Sequence, residues 1–514
     1  MAGTRPVAFN MITAKPVLEE FQANAQLTYG NYDTVKAKGM VNVPLGEIAA
    51  LRLAGSYLTR DGFATNEATG NEVVDLDLYS IRATLAVEPT DRLRGSVSYE
   101  HFEEDDSRLR FGRQVCDKDP TKTSFMGIPI IQADQVNTSQ GCLGGQLILT
   151  GLGQSTNSLT TLTGGLAVLA GLSNGDIYTI PSSTDLRTGF SQFDPEYQAE
   201  QTLISWKGEF DLTDSLSLTY LGSYFESEIF QGNTFGAGEA GVPYNDLSAI
   251  PPGVSGQADF YNALLPGGFV TDPQLGVSNF SLSSGSSGTS QEATSHELRL
   301  QSDFDGRFNF NLGANCVVSA QGYAKVLGAI AAGTPNPMTG IPLLSPGATS
   351  GICSGQLAGL AGLLGVPDVS FTNAEGQTVT VGGLTQFSGD AIDVSGNSIP
   401  NAPDSTLNIG DEYTWDSLRQ GAWDLSARAD YYVQSDSFSR VWNTRTDELE
   451  SWSNLNLSLR LTNADHGFDV EAFGKNVTDE EVITGHSLGD DSVGLTTNIF
   501  LTEPATYGIT VAKT

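Results

Sequence analysis

The sequence contains no run of eighteen consecutive apolar residues, which excludes a hydrophobic membrane-spanning helix. Basic residues are also scarce, because 26 Lys and Arg stand against 60 Asp and Glu, and the net charge is -34. This balance excludes nucleic acid as a partner, since binding it depends on clustered Lys and Arg that neutralise phosphates. The chain also lacks a nucleophile elbow, a phosphate-binding loop and a paired Glu/His motif. It therefore offers no catalytic constellation and no cofactor site.

Cysteine is rare as well, with four residues, none of them spaced as CxxC, which disfavours a zinc site. They fall into two pairs, Cys116 with Cys142 and Cys316 with Cys353, and each pair lies within one long segment between strands. The pattern predicts two disulfides, each within one loop, formed in an oxidising compartment. Four unpaired thiols are the alternative.

A strict alternation of apolar and polar residues recurs along the chain. In the first example, Phe21, Ala23, Ala25 and Leu27 alternate with Gln22, Asn24 and Gln26. Side chains alternate across a strand with a period of two, so the pattern indicates strands with one dry face and one wet face. It predicts an all-β fold, an antiparallel transmembrane β-barrel with lipid outside and a polar lumen. A soluble β-sandwich also alternates and is the alternative.

The lengths of the connections favour the barrel over the sandwich. Tight turns, such as 45–48 and 463–467, alternate with very long segments, such as 102–200 and 227–295. Short turns at one rim and long loops at the other are typical of an up-and-down outer-membrane barrel. We count about fifteen strand-like segments and expect 14 to 16 strands in an incomplete barrel. The first strand should lie beside the last.

Two charged sets are candidate functional residues. The first set faces the wet side of the predicted strands and should form a polar lumen wall: Lys36, Lys38, Arg52, Arg82 and Arg94. The second set is acidic, is predicted to lie in a loop, and could contact a metal ion or a cationic ligand: Glu103, Glu104, Asp105 and Asp106. The alternative for the acidic set is a solvated loop surface.

Five segments of the sequence resemble one family. They are the N-x-x-T-x-x-P phrase of residues 10–16, the loops at 29–33 and 61–70, the KNVTD phrase of residues 475–479 and the P-x-x-Y-G-I-T phrase of residues 504–510. The first phrase resembles the exit from the plug domain of TonB-dependent outer-membrane receptors, and the last two resemble the closing strands of that barrel. The loops look like the first two extracellular loops of the family.

The resemblance implies a function and a location. The chain is expected to lie in the outer membrane of a Gram-negative bacterium, in contact with outer-membrane lipid, and to be no enzyme. It would take up a scarce small-molecule nutrient, such as a ferric siderophore, cobalamin or a glycan. The residues of the lumen wall would then contact the plug and lumen water. Direct contact with the substrate is the alternative role. Two alternatives are a passive porin and a soluble secreted β-rich binding protein.

Three departures from the family pattern shape the expected organisation. First, the plug is expected to be absent, so coupling to TonB would need the full-length form. Second, the last residue is Thr514, whereas the family usually ends on an aromatic residue. Third, the family barrel has more strands than we count here. We therefore divide the chain into a remnant of the plug junction at 1–16, barrel strands with long extracellular loops at 17–314, a loop-like segment after a deletion at 315–404, and C-terminal barrel strands at 405–514. The strands beside the deletion should pair with each other or be covered.

Overall fold

The chain is built around one antiparallel sheet of fourteen strands, which confirms the predicted fold class. The structure is a computed structural model, and it describes residues 13–107, 114–115, 117–118, 124–125, 128–129, 142–143, 185–189, 193–233, 244–254, 259, 262–263, 265–272, 276–279, 282–330, 369–372, 378–381, 395–418, 422–441, 443, 447–488 and 497–514. No helix in this part of the chain is long and apolar enough to cross a membrane.

The strands of the large sheet follow one another along the chain. They are β1 (Gln22–Gly30), β2 (Val35–Pro44), β3 (Ala49–Arg60), β4 (Leu76–Thr90), β5 (Leu93–Asp106), β6 (Glu196–Thr213), β7 (Leu216–Asn233), β8 (Leu282–Ser302), β9 (Asn311–Ile330), β10 (Thr406–Ser417), β11 (Trp423–Gln434), β12 (Trp452–Asn463), β13 (Phe468–Lys475) and β14 (Thr506–Lys513).

Within the described residues, each strand pairs with the next one along the chain except β9 with β10, and the first strand pairs with the last. β1 pairs with β2 on one side and with β14 on the other, so that Leu27 lies opposite both Ala37 and Val511. The predicted pairing of the first strand with the last is therefore confirmed. We call the ladder between β1 and β14 the seam.

The sheet is open between β9 and β10, which are its two edges. Among the described residues no ladder joins these strands, and positions 311–320 and 406–416 are exposed. The prediction that the strands beside the deletion would pair or be covered is therefore wrong. Both edges leave backbone groups that a further strand would satisfy.

The two faces of the sheet differ as the alternation predicts. At the seam, Leu27 and Ile509 on the outer face are each 55% exposed, whereas Thr28 and Thr510 on the inner face are 6% and 9% exposed. The outer face carries large apolar side chains all along the sheet, including Tyr57, Tyr99, Tyr220 and Tyr431, which are all exposed. Crowded polar residues inside and bare apolar residues outside are the pattern of a sheet curled toward its polar face.

The connections segregate by length between the two rims. The rim that we call the short rim carries the connections 45–48, 91–92, 214–215, 303–310, 418–422 and 464–467. The opposite rim, the long rim, carries 31–34, 61–75, 107–195, 234–281, 331–405, 435–451 and 476–505. Only the first of these long-rim connections is short. The segregation agrees with the up-and-down meander that the sequence predicts.

Several strands extend further toward the long rim than the alternation predicts. β8 and β9 have 21 and 20 residues, although a tilted strand needs only about 9 to 11 to cross a bilayer. The part of β8 nearest the long rim is rich in Ser, Thr and Gly. Where both faces of a strand meet water, the alternation of apolar and polar residues is not needed.

The predicted boundary at 314/315 falls inside β9. The ladder between β8 and β9 runs without a register shift from the pair of Gln301 and Asn311 to the pair of Leu282 and Ile330. The segment 315–330 is thus strand rather than loop, and the break in the sheet comes after Ile330. The remainder of 315–404 lies mostly outside the described residues.

The long rim also contains short strands and a 3-10 helix. They are the strands Ala64–Asn66, Glu72–Val73, Gln114–Val115, Asp117–Lys118, Ser124–Phe125, Ile128–Pro129, Cys142–Leu143, Thr188–Gly189, Val270–Asp272, Gly276–Ser278, Val369–Thr372, Thr378–Val381, Ser437–Phe438, Glu448–Leu449, Ile483–Leu488 and Thr497–Leu501, and the 3-10 helix Pro266–Gly268. A second 3-10 helix, Ala464–His466, forms a turn of the short rim.

A buried asparagine holds the segment that leads into the sheet. Asn42 is fully buried on the inner face; its Oδ1 accepts a hydrogen bond from Val17 N at 2.9 Å, and its Nδ2 donates to Val17 O at 2.8 Å and to Glu20 O at 2.7 Å. A side-chain amide has the donor and the acceptor needed to satisfy both backbone groups of Val17. The path of residues 13–21 along the inner face is thereby fixed.

Candidate functional site

The predicted lumen-wall residues all lie on the inner face of the sheet. The ladder registers put Lys36, Lys38, Arg52, Arg82 and Arg94 on the same face as Thr28. Two of the five are paired across neighbouring strands: an Arg82 nitrogen lies 2.6 Å from Glu100, and an Arg94 nitrogen lies 2.9 Å from Asp211. Their charges are locally compensated, so these two are less able to recruit an anion. A role of the five in the lumen stays a prediction.

A pocket opens on the inner face where the seam approaches the long rim. Its volume is about 390 Å³, and the residues that line it include Lys36, Arg60, Glu471, Phe473, Lys475 and Glu503. The pocket thus joins residues from β2, β3 and β13 with the loop before β14. We call it the seam pocket.

Two glycines keep the backbone closely packed beside the pocket. Gly30 and Gly508 face each other across the seam on the inner face. A Cβ at Gly30 would lie 2.7 Å from Tyr507 O, and one at Gly508 would lie 2.5 Å from Tyr29 O. No side chain fits at either position without moving the backbone. Close packing of the two strands therefore explains why glycine follows Tyr507 in the last strand.

Arg60 is the most enclosed cation of the seam pocket. Its side chain is 8% exposed; Nη1 donates to Glu503 Oε1 at 2.9 Å, and Nη2 donates to Val74 O at 3.1 Å. Its Nε is buried and has no hydrogen-bond partner within the part of the chain that the structure describes. A buried donor without a partner costs free energy, which a bound acceptor would recover.

A second arginine joins Arg60 around an aromatic ring at the long rim. The ring of Phe63 lies 4.9 Å from the guanidinium carbon of Arg60 and 5.7 Å from that of Arg187. Arg187 in turn donates to Glu481 Oε1 at 2.9 Å and to Thr502 O at 3.2 Å. Cation–π and charge-assisted contacts of this kind fix planar groups in one orientation. These contacts therefore hold together segments of the long rim, above the seam pocket, that are distant in sequence.

A partly buried hydrogen-bond cluster fixes the loop between β3 and β4. Asp194 accepts hydrogen bonds from Asn66 Nδ2 and Thr69 Oγ1, both at 2.7 Å, and from Asn71 Nδ2 at 2.6 Å. Partial burial acts to raise the pKa of Asp194, but the three hydrogen bonds to its carboxylate outweigh burial and hold that pKa below its usual value. The ionised form therefore stabilises this part of the long rim.

The acidic set does not lie in a loop. Residues 103–106 are the last four of β5, so their side chains alternate: Glu103 and Asp105 point to one face and Glu104 and Asp106 to the other, where they are 2% and 6% exposed. Pairing with β6 extends the strand past the end of the apolar pattern, which explains the wrong assignment. Among the described residues no group of three His, Cys, Asp or Glu is arranged to hold a metal ion. A ligand role for the four residues stays a prediction.

The structure also contradicts the second predicted disulfide. Cys316 lies within β9, opposite His296, as a free and exposed thiol, so the predicted bridge to Cys353 is wrong. The sequence reasoning put Cys316 in a loop because it ended the strand too early. Cys116 and Cys353 lie outside the described residues, and only the backbone of Cys142 is described. The first disulfide stays a prediction.

Sequence reasoning did not single out Arg60, Lys475 and Glu503 as candidate site residues. Arg60 ends β3, Lys475 ends β13, and Glu503 lies near the end of the last long-rim connection. These positions are far apart in the sequence, and only the pairing of β1 with β14 brings them together. The signal that could have found them was present, because Lys475 opens the KNVTD phrase and Glu503 precedes the P-x-x-Y-G-I-T phrase.

Comparison with known proteins finds similarity in fold. No family model matches the sequence, and no curated protein sequence matches it. The ferric yersiniabactin uptake receptor FyuA from Yersinia pestis is similar at 9% identity and a TM-score of 0.46, over 98% of this chain and 81% of that one. The siderophore receptor PiuA from Acinetobacter baumannii is similar at 11% identity and a TM-score of 0.45, over 98% and 83%. The ferric preacinetobactin receptor BauA from the same species is similar at 11% identity and a TM-score of 0.43, over 98% and 80%.

These values compare folds alone. The fold and the site together define an all-β chain whose open antiparallel sheet has an apolar outer face, a polar inner face and a charged pocket at the seam.

Proposed function

We propose that the chain forms the membrane wall of an outer-membrane receptor that takes up a scarce small-molecule nutrient in a TonB-dependent way. One observation carries the proposal: a single antiparallel sheet exposes apolar side chains on one face, polar side chains on the other, and all its long connections at one rim. Only a medium that is lipid outside and water inside satisfies both faces. The nutrient would meet the long rim and the upper inner wall, which are free of lipid.

The substrate class to test first is a ferric siderophore. Support comes from the resemblance of residues 475–479 and 504–510 to the closing strands of TonB-dependent receptors. The inner-face cations, including Lys36 and Lys475, would favour an anionic ligand in a chain whose net charge is -34. The role needs binding and transport and no chemistry on the substrate.

Topology in cells is the first test. In a variant with all four native cysteines replaced by serine, we would introduce Glu67→Cys at the long rim or Asp214→Cys at the short rim, both of which are exposed sites. An impermeant maleimide should label Cys at position 67 on intact cells and Cys at position 214 only after lysis. Labelling of both on intact cells, or recovery of the protein from the medium, would contradict the membrane assignment and favour the secreted alternative.

Transport is the second test. Ferric siderophore accumulation should depend on the protein and should stop when a protonophore collapses the inner-membrane gradient. A passive porin would instead let small sugars through reconstituted vesicles without any energy source. That result, with no energy-dependent uptake, would contradict the receptor proposal.

A further inference from the structure

The seam pocket is a local exception in an acidic chain. Three cations line it, Lys36, Arg60 and Lys475, against two acids, Glu471 and Glu503, whereas the whole chain carries a net charge of -34. Most other inner-face cations with a described partner sit beside a carboxylate, as Arg82 does with Glu100. A surplus of positive charge at one enclosed place is the electrostatic mark of an anion site.

Two of the three cations are available to a ligand. Over the described ranges, neither Lys36 nor Lys475 has an acidic partner within ion-pair distance. Lys36 is half-buried on β2, and Lys475 lies over the ring of Phe473, with its Nζ 6.0 Å from the ring centroid. Lys475 is exposed, whereas the partial burial of Lys36 removes part of the hydration of its ammonium group. A partly dehydrated ammonium group without a counter-ion binds an anion more strongly than a fully solvated one.

The third cation is enclosed and only partly satisfied. Arg60 uses its Nη1 on Glu503 and its Nη2 on a backbone carbonyl, and its buried Nε has no partner among the described atoms. Glu503, at 63% exposed, is the solvent-accessible half of this ion pair. An incoming carboxylate therefore competes with Glu503 for Arg60.

The remaining lining residues select among anions. Hydroxyl groups of Thr28, Thr506 and Thr510 and the carboxylate of Glu471 border the same space. Carboxylates accept hydrogen bonds from ligand hydroxyls but repel a doubly charged group such as phosphate. The volume of about 390 Å³ lies at the lower end of the range of small-molecule pockets.

We propose that the seam pocket binds a polyhydroxylated carboxylate, of the class of an acidic sugar, with the carboxylate among Lys36, Lys475 and Arg60 and ligand hydroxyls on Glu471 and the threonines. The proposal deepens the proposed function and rests on it, because the inner face meets an external ligand only if it is the lumen of a receptor. It names a chemical class for the ligand, or for an acidic part of a larger ligand.

Binding can be measured on the folded full chain in detergent. The probes are D-glucuronate and its neutral counterpart D-glucose, followed by saturation-transfer NMR and calorimetry at low salt. We expect glucuronate to bind at least tenfold more tightly than glucose, with affinity that falls as salt rises. Equal binding of the two sugars, or tighter binding of inorganic phosphate than of glucuronate, would overturn the proposal.

Substitutions locate the site. Lys36→Gln and Lys475→Gln should each weaken glucuronate binding about fivefold or more and leave glucose binding unchanged. Lys207→Gln is the matched control, because Lys207 lies on the inner face of β6, outside the pocket, and pairs with Glu209 at 2.7 Å. An effect of Lys207→Gln as large as that of Lys36→Gln would mean diffuse charge attraction and would refute a built site.

Glu503→Gln gives a result of the opposite sign. It removes the group that competes for Arg60 together with one negative charge, so glucuronate should bind severalfold more tightly. A purely structural role of the ion pair predicts weaker binding or a loss of folding, and either result would count against the proposal.

The two proposals can fail separately. A protein that is labelled as expected in the outer membrane but does not bind glucuronate refutes the pocket proposal alone. A protein that binds glucuronate but is found outside the membrane refutes the receptor proposal alone.

Discussion

Substitution of Leu27 by arginine tests the assignment of the two faces most directly. Leu27 is the sixth of nine residues in β1, which places it near the middle of a strand of about the length that crosses a bilayer. Its side chain lies on the outer face between Ala37 and Val511 and is 55% exposed. If that exposure is to lipid, an arginine there must enter hydrocarbon.

The expected cost follows from depth. An arginine on the lipid face of a barrel costs about 2 to 4 kcal/mol at the midplane and about 0 to 1 kcal/mol near an interface. At the middle of β1 we therefore expect Leu27→Arg to lower the unfolding free energy by about 2 to 4 kcal/mol, roughly a 30- to 900-fold change in the folding equilibrium. Asn24→Arg is the matched control. Asn24 lies on the inner face opposite Met40, and a surface-type substitution there should cost less than about 0.5 kcal/mol.

The measurement is urea unfolding of both variants in short-chain phosphatidylcholine vesicles, followed by tryptophan fluorescence and by the heat-dependent shift on gels. The unfolding midpoint should fall for Leu27→Arg and stay near the wild-type value for Asn24→Arg, with equal slopes. Equal losses for both variants, or a larger loss for Asn24→Arg, would refute the assignment of faces and with it the membrane location.

Three further predictions concern single contacts. Asn42→Ala removes the clamp on residues 13–21 and should cost about 1 to 3 kcal/mol, with faster proteolysis within that segment. Gly508→Ala should weaken the seam and lower the unfolding midpoint, whereas Gly288→Ala, whose Cβ would meet no atom closer than 3.9 Å, should be tolerated. Because the folded-state pKa of Asp194 is lowered, its contribution to stability is complete above the usual value of about 3.9 and is lost as the pH falls through the folded pKa. The hydrogen-exchange protection factors of residues 61–75, which correct for the pH dependence of the intrinsic rate, should therefore fall below about pH 4, and Asp194→Asn should lower them at neutral pH as well.

The sequence predicts the alternating part of the sheet well because the two faces of each strand there meet different surroundings. β1 to β5 contain the alternating segments that the pattern marks, and the lumen-wall residues keep the predicted face. The alternation encodes which face each residue takes, and this information survives without any knowledge of the neighbouring strands.

Where the strands extend past the alternating segments, the same reasoning fails for a physical reason. The end of β5, with Glu103 to Asp106, and the upper parts of β8 and β9 are strands held by backbone ladders in water, where neither face has to be apolar. Their side chains carry no periodic signal, so a strand looks like a loop. The misplaced boundary at 314/315 and the wrong disulfide at Cys316 both follow from this.

The candidate site could not be predicted because it depends on pairing between the two ends of the sheet. Lys36 was found, since it lies in an alternating strand, but its relation to Arg60, Lys475 and Glu503 exists only after β1 and β14 meet. A sequence pattern reports local periodicity and does not show which distant segments contact each other. The family-like phrase at 475–479 marked the region without indicating its partner.

The seam and the pocket depend on the same contacts, which constrains how variants can behave. Thr28 and Thr510 share a hydrogen bond of 2.8 Å between their hydroxyls on the inner face, and both line the pocket. Asn31 continues the seam at the long rim, where its Nδ2 donates to Ala505 O at 2.8 Å and its Oδ1 accepts from Tyr507 N at 2.9 Å. A change that separates β1 from β14 must therefore also dismantle the pocket, whereas removal of a lysine charge leaves the ladder intact. Loss of ligand binding without loss of stability can consequently come only from the side chains that line the pocket, and this difference separates recognition from architecture in the chain.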